Sequence, residues 1–66
     1  MKVRVNGEER EVPEGASVRD LLDLLGLPDV GIAVAIDQQV VPRGRHAEHA
    51  LREGCTIEVI RAVGGG

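Results

Sequence analysis

One short segment of the chain has the apolar spacing of an amphipathic helix, whereas the segments on either side have the patterns of strands and turns. Val18, Leu21, Leu22 and Leu25 fall at positions i, i+3, i+4 and i+7, so they share one face of a helix. A lone helix with one apolar face must pack that face against another layer. The sequence therefore predicts a two-layer domain in which this helix lies across a sheet.

The predicted helix has recognisable ends. Ser17 is a suitable N-cap, and Asp20 places a carboxylate in the first turn, where it can accept hydrogen bonds from unpaired amides. The pair matches a capping box imperfectly, because Glu or Gln is the usual residue three positions after the cap. Gly26 and Pro28 follow the apolar stripe and predict that the helix ends there.

A β-hairpin is predicted before the helix. Val3 and Val5 alternate with charged residues, which is the period of a strand with one face on a core. Asn6 and Gly7 predict a type I′ turn, since both residues tolerate positive φ. The return strand, residues 9–12, carries a single valine among charged side chains, which favours the edge of a sheet.

Three further strands are predicted after the helix. Residues 32–36 alternate branched side chains with alanine, and residues 39–41 continue as a second strand after a short turn. Residues 43–53 are polar and predict a loop with a helical turn at 47–51. Residues 56–63 are rich in β-branched side chains on both faces, as a central strand would be.

These elements predict an α+β roll, in which one main helix packs across a mixed sheet of four to five strands. A chain of 66 residues is long enough for one small domain. We expect this domain to span residues 1–63 and a flexible glycine tail to follow at residues 64–66.

Composition and charge exclude several classes of function. The net charge is −3 and the chain has no Phe, Trp or Tyr, so neither phosphate neutralisation nor base stacking supports nucleic-acid binding. The longest apolar run, residues 32–36, is too short to span a membrane. The first residues do not resemble a secretory signal. We expect a cytoplasmic protein, and the lone Cys55, which cannot form an internal disulfide, agrees with a reducing compartment.

Candidate catalytic and metal-binding side chains are few. His46, His49 and Cys55 do not form a recognised set of zinc ligands, so no metal site is predicted. Cys55 comes just before a predicted strand and is expected to be a small buried or half-buried residue. The sequence offers no clear nucleophile–base pair or paired carboxylates, so we do not expect an enzyme.

The glycine run at residues 64–66 is the most unusual functional feature. Glycines keep a segment mobile, and three of them could extend a carboxylate roughly 10 Å beyond the sheet. Without Cβ atoms, such a tail could enter a narrow channel. A carboxylate is a poor acyl donor, so its use requires activation, for example as an ester of AMP, in a partner's site that excludes water. A frayed terminus is the plainer alternative.

The sequence resembles the ThiS family, the ubiquitin-like β-grasp sulfur carriers of thiamine biosynthesis, nearly from end to end. The resemblance rests on the opening Val-Arg-Val-Asn-Gly hairpin, the Ser-Val-Arg-Asp-Leu-Leu helix, the segment from Val34 to Arg43, the strand from Gly54 to Arg61 and the glycine end. The segment from Val34 to Arg43 is the most specific of these, because Gly-Gly ends occur throughout ubiquitin-like proteins.

This resemblance implies a function and a set of partners. A ThiF- or MoeB-like enzyme using ATP would adenylate the terminal glycine, which is Gly66, or Gly65 if Gly66 is trimmed. A sulfur donor such as a cysteine desulfurase would then allow conversion to a thiocarboxylate, and this group would pass its sulfur to a ThiG-like thiazole synthase. The family ends in two glycines and this chain has three, so Gly64 would be an extra spacer in the tail if Gly66 is the reactive residue. No bound cofactor is expected.

Residues near the root of the tail are candidates for docking on a partner. These are Arg61, Arg43 and Val63, together with the exposed members of the strand that begins at Ile57. Two related alternatives stay open at this point: the small subunit of molybdopterin synthase and a ubiquitin-like protein modifier. An alternative of another class is an interaction module with a disordered glycine tail.

Overall fold

The computed structural model describes residues 1–28 and 30–61. Within these ranges the chain forms five strands, one α-helix and one short 3-10 helix. In chain order they are β1 (Lys2–Val5), β2 (Glu8–Glu11), α1 (Val18–Leu24), β3 (Ile32–Ile36), β4 (Gln39–Val41), the 3-10 helix (Arg43–Arg45) and β5 (Thr56–Arg61).

The strands form a single mixed sheet in the order β2-β1-β5-β3-β4. β1 and β5 are parallel, and the other neighbouring pairs are antiparallel. The predicted sheet of four to five strands is therefore confirmed, with the larger number. β5 is the central strand and β2 is an edge strand, as the sequence predicts.

The core lies between α1 and one face of the sheet and is entirely aliphatic apart from small residues. Val18, Leu21 and Leu22 of α1 are fully buried, and Ile57 near the start of the central strand β5 is equally inaccessible. The same cluster includes inward-facing side chains of β1, β3 and β4: Val3, Val5, Ile32, Val34, Ile36 and Val41. Burial of the predicted stripe therefore holds the two layers together.

α1 begins as predicted and ends one residue earlier. Ser17 and Asp20 form a complete capping box: the Asp20 amide donates to Ser17 Oγ at 3.2 Å and the Ser17 amide donates to Asp20 Oδ2 at 2.9 Å. Leu25 is the C-cap and is only partly buried. Gly26 follows with φ +71°, a conformation that glycine adopts without strain.

Both hairpin turns use positive φ at their two central positions. In the first turn, Asn6 has φ 50° and Gly7 has φ 85°, so the predicted type I′ geometry is confirmed. In the second turn, Asp37 and Gln38 have φ 49° and 72°. The return strand β2 is Glu8–Glu11, one residue ahead of its predicted range of 9–12. Val12 still exchanges backbone hydrogen bonds with Met1, each at 2.8 Å, and its side chain joins the core.

The segment after β4 differs from its prediction. Its helical turn lies at Arg43–Arg45 instead of residues 47–51. The later residues serve the start of α1: the Val18 amide donates to the His49 carbonyl and the Arg19 amide to the His46 carbonyl, each at 3.0 Å. These carbonyls satisfy donors that an isolated helix would leave unpaired. Among the described residues, no helix is long and apolar enough to cross a membrane.

Candidate functional site

The predicted reactive tail lies outside the described residues. This holds for Gly64, Gly65 and Gly66, for the docking candidate Val63 and for the predicted domain boundary after residue 63. The structure describes the strand that leads to the tail, β5, as far as Arg61. The candidate site is therefore built from the base of the tail and the surfaces around it.

β5 is held on both sides along its first half and on one side towards its end. Its registered parallel pairs with β1 are Arg4 with Thr56 and Val5 with Ile57. Its antiparallel pairing with β3 continues to the last described residue, where Ile32 lies opposite Arg61. The chain therefore approaches residue 62 along the middle of the sheet, next to the first residue of β3.

The two predicted docking arginines are both exposed. Arg61 ends β5 opposite Ile32, the first residue of β3. Arg43 begins the 3-10 helix that follows β4, whose last residue Val41 pairs with Val34. The structure therefore places Arg61 at the end of the strand that leads to the tail, and Arg43 just past the edge strand β4.

The face of the sheet opposite α1 carries an apolar surface. Ile60 and Val40 are large exposed hydrophobic residues, with 60% and 76% of their surface accessible. Ile60 lies opposite Ala33, and Val40 lies opposite Ala35. We call these four residues the outer apolar patch. Glu58, also opposite Ala35, borders it with a negative charge.

Sequence reasoning found only part of this patch. It predicted that exposed members of β5 contribute to docking, and Ile60 fits that prediction. Ile57 is fully buried and Val59 is partly buried, since they face α1. The contributions of Ala33, Ala35 and Val40 were missed. The alternation within β3 and β4 indicates which residues face outward, but only the strand order brings them beside Ile60.

A groove of about 420 Å³ lies on the other face of the sheet, near the same end. Its apolar lining includes Val59 from β5 and Leu25 and Leu27, which follow α1. Arg61 and Arg10 supply charge to its lining, and Arg10 forms an exposed ion pair with Glu8 at 3.8 Å. The end of β5 at Arg61 therefore lies between the outer apolar patch and a groove with charged and apolar lining.

The histidines and the cysteine do not come together as a metal site. His46 is buried, with Nε2 3.2 Å from the Val41 carbonyl oxygen, whereas His49 is exposed. Cys55 is buried just before β5, within the prediction of a small buried or half-buried residue. In the part of the chain that the structure describes, no three His, Cys, Asp or Glu side chains are grouped to hold a metal ion.

Comparisons with known proteins identify the family that this chain matches. The model of the ThiS family matches residues 3–66. The chain is 33% identical over 66 residues to the sulfur carrier protein ThiS of Escherichia coli (strain K12), and the match covers all of both chains. It is 35% identical over 66 residues to a thiazole synthase of Paramagnetospirillum magneticum, but it spans only 20% of the length of that protein.

A solved structure shares the architecture. The crystal structure of the thiamine biosynthesis protein ThiS from Geobacter metallireducens matches with a TM-score of 0.84 at 26% identity, over the whole of both chains. The structural likeness therefore covers the full length of both chains.

Proposed function

The chain belongs to the ThiS family, and from this we propose that it is a sulfur carrier of thiamine biosynthesis and acts as a protein cosubstrate, not as an enzyme. Its mixed five-stranded sheet with one α-helix is the ubiquitin-like β-grasp fold. The observation that carries the proposal is the full-length match to the E. coli sulfur carrier protein ThiS. The family match also runs through the glycine tail to residue 66.

The reactive group in this proposal is the terminal carboxylate of Gly66. A ThiF- or MoeB-like partner would use ATP to convert the carboxylate to an acyl adenylate and release pyrophosphate. The outer sulfur of a persulfide, formed by a donor such as a cysteine desulfurase, would then displace AMP to give an acyl disulfide. A thiol would reduce this disulfide, which releases the thiocarboxylate and leaves a new disulfide between that thiol and the donor. Activation is necessary because a free carboxylate is a poor acyl donor. If Gly66 is trimmed, Gly65 takes the same role.

The surfaces around the base of the tail suit docking on such partners. The outer apolar patch exposes aliphatic side chains whose burial in an interface is favourable. Arg61, at the end of β5, and the exposed Arg43, just after β4, add two cationic groups that can orient the carrier on an acidic rim. Val63 would extend the apolar contact along the tail. Docking beside the tail gives the transferred sulfur the advantage of an oriented reaction.

A thiazole synthase is the proposed acceptor of the sulfur. Thiazole synthases from Paramagnetospirillum magneticum and Magnetococcus marinus each contain a segment that this chain matches over 20% of their length, at 35% and 36% identity. A carrier-like segment within a thiazole synthase supports a direct encounter between the two activities. We therefore propose that the thiocarboxylate is consumed by a ThiG-like thiazole synthase.

Intact mass spectrometry tests the loading step. The chain is incubated with ATP, a ThiF- or MoeB-like enzyme and a sulfur donor, and we expect one oxygen atom to be replaced by one sulfur atom. A variant that lacks Gly66 is the matched comparison. Loss of loading in this variant assigns Gly66 as the acceptor, whereas retained loading assigns Gly65.

An unchanged mass in the wild-type chain would contradict the sulfur-carrier proposal and favour an interaction module. A second assay separates the related alternatives once loading is found. The loaded chain is supplied to a thiazole synthase and, separately, to a molybdopterin synthase large subunit. Thiazole formation supports the thiamine assignment, and sulfur transfer only in the second reaction would overturn it.

A further inference from the structure

β5 extends beyond the strand that supports it on one side. Its registered pairing with β1 reaches only Val5 opposite Ile57, and after Val5 the chain turns away through Asn6 and Gly7. From Val59 onwards, therefore, the edge of β5 that faces β1 has no strand residue opposite it. This stretch leads directly to Arg61 and the tail.

The side chain of Asn6 takes the place of the missing strand residue. The backbone amide of Asn6 donates to the Ile57 carbonyl at 2.9 Å. Its Nδ2 then donates to the Val59 carbonyl at 3.1 Å, and the Val59 amide donates to Asn6 Oδ1 at 2.9 Å. A carboxamide offers a donor and an acceptor, as a peptide group does, so the ladder gains one more step.

The identity of Asn6 meets two demands at once. Its φ of 50° lies in the left-handed region, which asparagine tolerates better than most residues. The pairing with Val59 needs both halves of a carboxamide. Aspartate would keep the acceptor but lose the donor, and glycine would keep the turn but lose both contacts.

We propose that Asn6 is a positioning residue for the carrier tail. By pairing with Val59, it extends the two-sided support of β5 to within two residues of Arg61 and sets the direction in which the chain leaves the sheet. If the end of β5 is already ordered, binding of the tail in a partner's narrow site loses less conformational entropy. This consequence for loading rests on the proposed sulfur-carrier function.

The other end of β5 supplies a matched control. Asp37, which also has positive φ, at 49°, accepts a hydrogen bond from the Thr56 amide at 3.0 Å and donates its own amide to the Thr56 carbonyl at 2.8 Å. Asp37→Gly therefore removes a side-chain contact to the same strand, at the end far from Arg61.

Amide hydrogen exchange and ¹⁵N relaxation of the isolated chain test the positioning. In Asn6→Gly we expect exchange of the Val59 amide to accelerate about tenfold, because its acceptor is lost, and the order parameters of Ile60 and Arg61 to fall. Asp37→Gly should accelerate the Thr56 amide and leave Val59 and Arg61 as in the wild type. Asn6→Asp, which keeps the acceptor, should fall between the wild type and Asn6→Gly.

The kinetics of adenylation test the consequence for loading. In ATP–pyrophosphate exchange with a ThiF- or MoeB-like enzyme, we expect Asn6→Gly to raise KM for the chain about fivefold, with kcat changed less than about twofold. The reason is that the end of β5 would then lose its conformational entropy when the chain binds, which weakens binding but not the chemical step. Asp37→Gly should leave KM near the wild-type value.

Two results would overturn the role of Asn6: unchanged Val59 exchange and Arg61 order in Asn6→Gly, or an equal rise of KM in both glycine variants. If the wild-type chain is not adenylated at all, the sulfur-carrier proposal fails. In that event the exchange and relaxation measurements still decide whether Asn6 positions the end of β5.

Discussion

Some single residues in this chain adopt the backbone conformation that a turn needs and also make a side-chain contact that holds a strand. Asn6 and Asp37 adopt the positive φ of their turns and also hydrogen-bond β5 from opposite ends. In α1, a leucine's place on the helix decides between the core and the solvent. Leu22 is fully buried, whereas Leu24, two positions later, is 61% exposed.

The leucines of α1 give a prediction for stability. We expect Leu22→Ala to lower the free energy of unfolding by about 2–5 kcal/mol, because it removes methyl groups from a core that cannot fully collapse around the cavity. Leu24→Ala is the control and should change stability by less than about 0.5 kcal/mol. Urea denaturation of both variants measures the difference. Equal losses in the two variants would contradict the assignment of the buried face.

The elements of the fold differ in how far local sequence determines them. The helix, its cap and the strand faces follow from periods of 3.6 and 2 within short windows. The 3-10 helix at Arg43–Arg45 was not predicted from the sequence. The residues after it accept hydrogen bonds from the first amides of α1 through the carbonyls of His46 and His49. These contacts join segments that are distant in sequence, so local patterns do not reveal them. His46 is buried for the same reason, although its polar neighbours in the sequence indicate a surface loop.

The start of α1 supplies a prediction at the scale of the element. Ser17→Ala removes the acceptor of the Asp20 amide, and we expect a loss of about 1 kcal/mol in the free energy of unfolding. Asp23→Asn breaks only the exposed ion pair with Arg19 at 3.7 Å and should cost less than about 0.5 kcal/mol. Thermal and urea unfolding compare the two. A Ser17→Ala loss no larger than that of Asp23→Asn would mean that the cap contributes little.

At the scale of the whole molecule, the sheet brings dispersed residues to one end and one face. Arg61 and Ile32 are far apart in sequence, yet the register places them opposite each other at one end of the sheet. Local periodicity indicated that Ala33 and Ala35 face away from Ile32, but it could not place Ile60 and Val40 next to them, since that depends on the strand order. The role of the tail was predicted from its glycines and the family resemblance. It stays a prediction, because the described residues end at Arg61.

The outer apolar patch predicts how the carrier recognises its activating enzyme. Ile60→Asp places a carboxylate beside Ala33, on the face proposed for docking, and desolvating that charge in an apolar interface is costly. We expect KM for the chain in adenylation to rise about tenfold, an interface loss of about 1.4 kcal/mol. Leu24→Asp is the matched control. Leu24 is 61% exposed, against 60% for Ile60, but it lies on α1, on the opposite face of the sheet.

Circular dichroism is used to check that both variants fold. If both raise KM equally, or neither does, docking does not use this face, and the partner must recognise the tail or the groove near Arg61 instead.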